Sequence, residues 1–237
     1  MIKTRTKRVA TDLTIPPSGL LNADLKPTGS DVKTAQLLAK DWGLKLDFVK
    51  IAQATRIPNL LTDKADVVIS TLTITPQRAK VIDFTRPYAA LQSVVACVKT
   101  SDVKSWNDLN GKSVALARGT TQDVYPSGMK NAHFMVVRYQ DESTLVTAAA
   151  SDQADCMGNS AMAVAQVGKM NPARPFTTRI HLRNLYLAMG VRKNEPRLKA
   201  KLNEWILANL KNGKLNAIYE GFHGTPLPKD LQEGKVE

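Results

Sequence analysis

Short β-branched runs alternate with stretches of helical spacing along most of this chain, and no other feature restricts its fold so tightly. That order is the grammar of an α/β architecture with largely parallel strands, because parallel neighbours need a crossover that a helix supplies. Val9 to Thr11 reads as a first strand, followed by a turn-rich loop through Pro16-Pro17-Ser18-Gly19. From Asp31 to Trp42, residues Val32, Ala35, Leu38, Ala39 and Trp42 fall on one helical face, and Gly43 supplies the stop. Leu46 to Val49 and Asp66 to Ser70 read as the next strands, with a short helix from Ile57 to Leu61 between them. Further strands are expected at Ser93 to Val98, Ser113 to Ala117, Phe134 to Val137, Asp155 to Gly158 and Leu185 to Val191. Asn194-Glu195-Pro196 opens a helix on which Leu198, Leu202, Trp205, Ile206 and Leu210 keep helical spacing up to Gly213. A last helix carries Leu215, Ile218, Tyr219 and Phe222.

Composition narrows the function classes. The 237 residues, 43% hydrophobic and 23% charged, suit an ordinary globular chain of one large domain or two lobes. The longest apolar runs, such as Val94 to Val98, are far below the roughly 20 residues that span a bilayer. The basic start, Met1 to Arg8, has no apolar stretch behind it, so as it stands it is not a secretory signal; an exported protein would be a trimmed piece. A net charge of +12 raises nucleic acid or an anionic surface as partners. Its distribution argues against both: the basic residues from Lys169 onward are spaced along amphipathic segments, and aromatic residues make up only 5% of the chain. Cys97 and Cys156 lack any metal or redox spacing, so buried free thiols are the default expectation, with one disulfide left open. His133, His181 and His223 also lack metal spacing and are expected at surface or partly buried positions.

Residues 66–88, DVVISTLTITPQRAKVIDFTRPY, are the most specific part of the chain. They resemble the periplasmic solute-binding proteins that deliver amino acids to ABC transporters, whose matching segment has a strand, a Ser/Thr-rich turn, Thr-Pro-x-Arg and Asp-Phe-Ser-x-Pro-Tyr. TGSDVKTAQLLAKDWG, WNDLNGKSVALARGTTQDVY and LNAIYEGFHGTPLP resemble other parts of that family, so the likeness covers nearly the whole chain. It implies a two-lobed α/β fold of the type II periplasmic-binding-protein kind with a ligand cleft between lobes. Residues 1–91 and 188–237 would form lobe 1, residues 92–187 lobe 2, with crossings near Leu91-Gln92 and Leu187-Ala188.

Arg78 can offer a carboxylate two parallel charge-assisted hydrogen bonds, which a lysine cannot reproduce, and is the expected anchor. Ser70, Thr71 and Thr73 follow a buried strand, where a parallel sheet opens its carboxyl ends to ligands. Gly119-Thr120-Thr121 lies between a strand and a helix expected near Gln122, where backbone N–H groups suit an anion. In the family an Asp ending a lobe 2 strand receives the ligand's α-ammonium; here ASDQADCMGNSAM places Asn159 there. Asn159 reads equally as a ligand contact or a helix cap, and Asp12 as a ligand contact or a loop stabiliser. Ile15 and Gln53 stand where the family carries aromatic platforms. Arg118 is an added cation, expected to be solvated.

The expected function is therefore a solute-binding receptor for a small polar carboxylate-bearing solute, an amino acid or derivative. It would hand this solute to a membrane permease, act in the periplasm as a monomer, and need no cofactor. Asp12 facing the ligand would favour a cationic or amide group; Arg118 and the stretch Thr55-Arg56-Ile57-Pro58 would favour a dicarboxylate, and the reading leans to the former. Two alternatives stand beside it. A cyclohexadienyl-dehydratase-like enzyme would need a catalytic Glu after position 159, where Ser160-Ala161-Met162-Ala163 follows instead. A receptor's ligand-sensing domain would need a signalling module.

Overall fold

The computed structural model describes residues 6–127 and 133–236; the basic start at residues 1–5 lies outside them. In chain order the elements are β1 (Thr6–Asp12), β2 (Leu20–Leu21), β3 (Pro27–Thr28), α1 (Ser30–Trp42), β4 (Lys45–Ile51), α2 (Arg56–Leu61), β5 (Val67–Val68), α3 (Pro76–Ala79) and β6 (Ile82–Val98). Then come β7 (Ser113–Ala117), α4 (Thr121–Ser127), β8 (Met135–Tyr139), α5 (Glu142–Ala150), β9 (Cys156–Ser160), α6 (Ala161–Met170), β10 (Phe176–Arg192), α7 (Pro196–Lys211), α8 (Lys214–His223) and α9 (Lys229–Gln232). The chain divides into two compact units, Met1–Ala90 with Tyr186–Glu237, and Leu91–Leu185. Among the described residues no helix is long and apolar enough to cross a membrane.

In the first unit β1 lies between β4 and β5 and runs parallel to both, while β10 closes on β5 in the antiparallel sense. β5 is shorter than its apolar run suggests, because the chain leaves the ladder after Val68 and turns at Thr71, whose φ is 43°. One stripe of α1 (Val32, Ala35, Leu38, Ala39) is buried, and Gly43 ends the helix in the left-handed region at φ 62°. α7 starts on Pro196 and buries Leu202, Trp205, Ile206 and Leu210; its Trp205 Nε1–H donates to Asp41 of α1 at 2.8 Å. Each fully buried leucine of such a face is worth about 2 kcal/mol. His223 departs from expectation: it is buried, stacked on Tyr219 with ring centroids 4.0 Å apart and within 3.0 Å of the Ser30 hydroxyl. Burial pushes its pKa down to about 4.

In the second unit β7 is parallel to β8 and β9, and β9 is antiparallel to β6. Both faces of this sheet are covered. Val94 and Ala96 join Leu145 and Ala149 of α5 and Val164 and Val167 of α6 on one face. Val95 and Cys97 join Leu109 and Leu116 on the other. Two-sided burial explains why Val94 to Val98 reads as an unbroken apolar run. β6 and β10 are long strands that run from one unit into the other, extending well past the segments Ser93 to Val98 and Leu185 to Val191 expected from the residue pattern.

The cysteines correct the free-thiol expectation: Cys97 and Cys156 form a disulfide. The two residues sit 59 apart in sequence yet are direct register partners on β6 and β9, with Cα atoms 4.0 Å apart. Strand pairing, invisible in the spacing, brings them together.

Candidate functional site

In the first unit the carboxyl ends of parallel strands β1 and β5 collect three of the expected residues, Asp12, Ser70 and Thr71. Asp12, at the end of β1, has its backbone N–H on the Ser70 hydroxyl at 3.0 Å. Its Oδ1 accepts from the Thr14 N–H at 2.8 Å and the Thr14 hydroxyl at 2.7 Å, so the loop-stabilising contacts of Asp12 are present. Ser70 is fully buried. Thr71 donates its N–H to Asp31 Oδ2 at 2.8 Å, which holds this non-glycine residue in the left-handed region. Gly19 packs against the same strand end, where a Cβ would strike the Asp12 carbonyl.

Arg78 and Thr73 are joined as well. Pro76 opens α3, the Thr75 hydroxyl caps it by accepting from the Arg78 N–H at 3.2 Å, and the Arg78 guanidinium donates to the Thr73 carbonyl at 2.8 Å. The side chain is half-buried. Loss of hydration lowers its pKa to about 10, which leaves it a cation at neutral pH.

Behind this turn lies a buried network that sequence reasoning missed. Arg56, 3% exposed, donates from Nε to the Gln53 carbonyl at 2.8 Å and from Nη1 to the carbonyls of Ser70 and Thr71 at 2.9 and 3.1 Å. Asp31 accepts from the Tyr88 hydroxyl at 2.6 Å and from Thr71. Burial drives the Asp31 pKa up to about 6, against the pull of those two hydrogen bonds and the Arg56 charge. The available signal was an arginine within an otherwise apolar helix start, ATRIPNLL. Its contacts hold the Ser70–Thr71 backbone.

In the second unit the parallel pair β7 and β9 places two expected groups at one sheet edge. Beyond β7, Gly119 takes φ 76°, a conformation that favours glycine. The Thr120 hydroxyl donates to the Ala117 carbonyl at 2.8 Å and accepts from the Asp123 N–H at 3.1 Å. Thr121 is buried and donates to Gln122 Oε1 at 3.1 Å, while Gln122 Nε2 donates to the Ser93 hydroxyl at 2.9 Å. At the end of β9, Asn159 Oδ1 accepts from the Ser160 N–H at 2.7 Å, and Ser160, not Asn159, caps α6. Arg118 is exposed. Among the described residues no group of three or more His, Cys, Asp or Glu could hold a metal ion.

The family model described as bacterial extracellular solute-binding proteins, family 3, matches residues 8–225. The L-cystine-binding protein TcyJ of Escherichia coli (strain K12) is 30% identical over 221 residues, 91% of this chain and 82% of that protein. ABC transporter arginine-binding protein 1 of the same organism is 36% identical over 112 residues, and the match spans 47% of this chain and 46% of that protein. Among solved structures, the ancestral amino acid-binding protein AncCDT-1, a precursor of cyclohexadienyl dehydratase, superposes with a TM-score of 0.83 at 29% identity, covering 92% of this chain and 95% of that one.

Proposed function

This chain belongs to the bacterial extracellular solute-binding proteins of family 3, and we propose that it binds a small polar solute bearing a carboxylate, an amino acid or a derivative. The observation that carries this reading is the half-buried Arg78 guanidinium, held by the Thr73 carbonyl directly after the Ser70–Thr73 turn. A planar cation partly stripped of water is suited to a carboxylate, because the bonds it makes are charge-assisted and weakly screened. Ser70, Thr71, Thr73 and Asp12 furnish the polar contacts of the first unit; Gly119, Thr120, Thr121 and Asn159 furnish those of the second. The receptor acts as a monomer, needs no cofactor, and passes its solute to an ABC-transporter membrane permease. The Cys97–Cys156 disulfide supports residence in an oxidising compartment such as the periplasm.

The chain binds without converting its ligand. Its likeness to a dehydratase precursor raises the enzymatic alternative, but no acid follows Asn159: Ser160 caps α6 and Ala161 and Met162 begin it. The deciding experiment is a thermal-shift screen over amino acids, 2-oxo acids, 2-hydroxy acids and opines, since a ligand at 100 times its Kd adds about 2.7 kcal/mol to stability. Binding by a member of these sets is expected. A flat response throughout removes the receptor reading, and phenylpyruvate formed from prephenate above background makes the protein an enzyme.

A further inference from the structure

Asn159 is 5% exposed, and one bond orients its amide: the Ser160 N–H donates to Oδ1 at 2.7 Å. Only the carbonyl end of an amide can accept a backbone N–H, so this contact distinguishes oxygen from nitrogen and turns the two Nδ2 hydrogens elsewhere. Among the described residues nothing accepts them. The neighbours explain why. Side chains alternate along β9, so Asn159 shares a face with Met157, and its direct partner on β6 is Val94; both neighbours belong to the apolar cluster of that face. Ser93, the register partner of Ser160, already accepts from Gln122. A buried amide donor without an acceptor is rare in a native fold and calls for a partner outside the chain. Asn159 lies at the carboxyl end of β9, beside the parallel strand whose own carboxyl end leads into Gly119-Thr120-Thr121. That is the edge of an α/β sheet where ligands enter.

We propose that Asn159 determines specificity by presenting two hydrogen-bond donors to the solute, so that the ligand group lodged against it is an acceptor, such as an oxo, hydroxyl or carboxylate oxygen, and not an ammonium. This deepens the receptor reading above and rests on it. A carboxylate at this place could only accept; an amide whose oxygen already accepts from Ser160 has two hydrogens left to give, and these are met by an acceptor and opposed by an ammonium.

The test is calorimetric titration with matched probes: L-arginine, L-histidine and L-cysteine against their 2-oxo and 2-hydroxy acid counterparts, for the wild type and Asn159→Asp. The aspartate keeps an oxygen for the Ser160 N–H, and the wild-type comparison needs no variant. The wild type is expected to bind at least one oxo or hydroxy acid about tenfold or more tightly than the matching amino acid, with Asn159→Asp reversing the order. A wild type that prefers the amino acids by that margin, with Asn159→Asp leaving or raising their affinity, overturns the inference and leaves the receptor reading intact. No binding in this set or in the wider screen overturns the receptor reading, and the inference with it.

Discussion

Asp31 and Tyr88 lie 57 residues apart in sequence, yet the tyrosine hydroxyl donates to the aspartate at 2.6 Å. The carboxylate also holds the Thr71 N–H, so one buried acid connects the start of α1, the middle of β6 and the turn that carries Ser70 and Thr71. Its pKa, raised from 3.8 to about 6 by burial, makes this connection sensitive to pH.

The sign follows from linkage. The folded state holds the Asp31 proton more tightly than the unfolded state does, so the group's penalty is absent below pH 3.8, grows as pH rises, and is complete above about 6. The full difference is about 3 kcal/mol. His223 acts in the opposite direction: with its pKa lowered from 6.5 to about 4, it costs nothing above 6.5 and destabilises increasingly as pH falls toward 4. Urea unfolding of the wild type and Asp31→Asn from pH 4 to 7 is expected to show the wild type losing stability relative to the variant as pH rises. A pH-independent difference between them would count against the buried, titrating acid. For His223→Gln, the wild type is expected to lose stability relative to the variant as pH falls through the same window.

Arg56 holds the carbonyls of Ser70 and Thr71 from within the core. Arg56→Leu leaves both acceptors without that donor, at about 1 to 3 kcal/mol for each that stays dry. A loss of about 2 to 4 kcal/mol in urea unfolding is expected, together with weaker binding of the best ligand from the screen, because the Ser70–Thr71 turn loses its support. Unchanged stability and affinity would deny Arg56 this role.

Arg78→Lys keeps the charge and removes the planar fork. Binding of the best carboxylate ligand is expected to weaken about tenfold to a hundredfold, as the loss of a charge-assisted contact implies. The melting temperature of the free protein should change little, since the cap of α3 uses the Arg78 backbone N–H. An unchanged Kd by calorimetry would remove Arg78 as the anchor.

The Cys97–Cys156 bridge closes a loop of 59 residues, for which chain entropy allows about 4 kcal/mol as an upper figure. The double variant Cys97→Ser, Cys156→Ser is expected to be less stable in urea unfolding by up to that free energy while its ligand affinity stays near wild type. Equal stability of the two forms would show that the bridge constrains the unfolded chain little.

Local physics was legible in the sequence. The period of Val32, Ala35, Leu38 and Ala39 with Gly43 behind them marked α1, Pro196 and the spacing of Leu202 to Leu210 marked α7, and Ser113 to Ala117 is β7 to the residue. The segment at residues 66–88 pointed to the family, because motif and turn chemistry depend on neighbours along the chain. Tertiary structure alone decided the rest. The strands β6 and β9 put Cys97 opposite Cys156 through their register, and the fold buried Asp31, Arg56 and His223, which spacing would assign to solvent. The direction of the Asn159 amide was likewise set by a single backbone bond at the end of β9. Register and burial arise from pairings between distant segments, and a side chain's charge, protonation and hydrogen-bond polarity follow from what those pairings place around it.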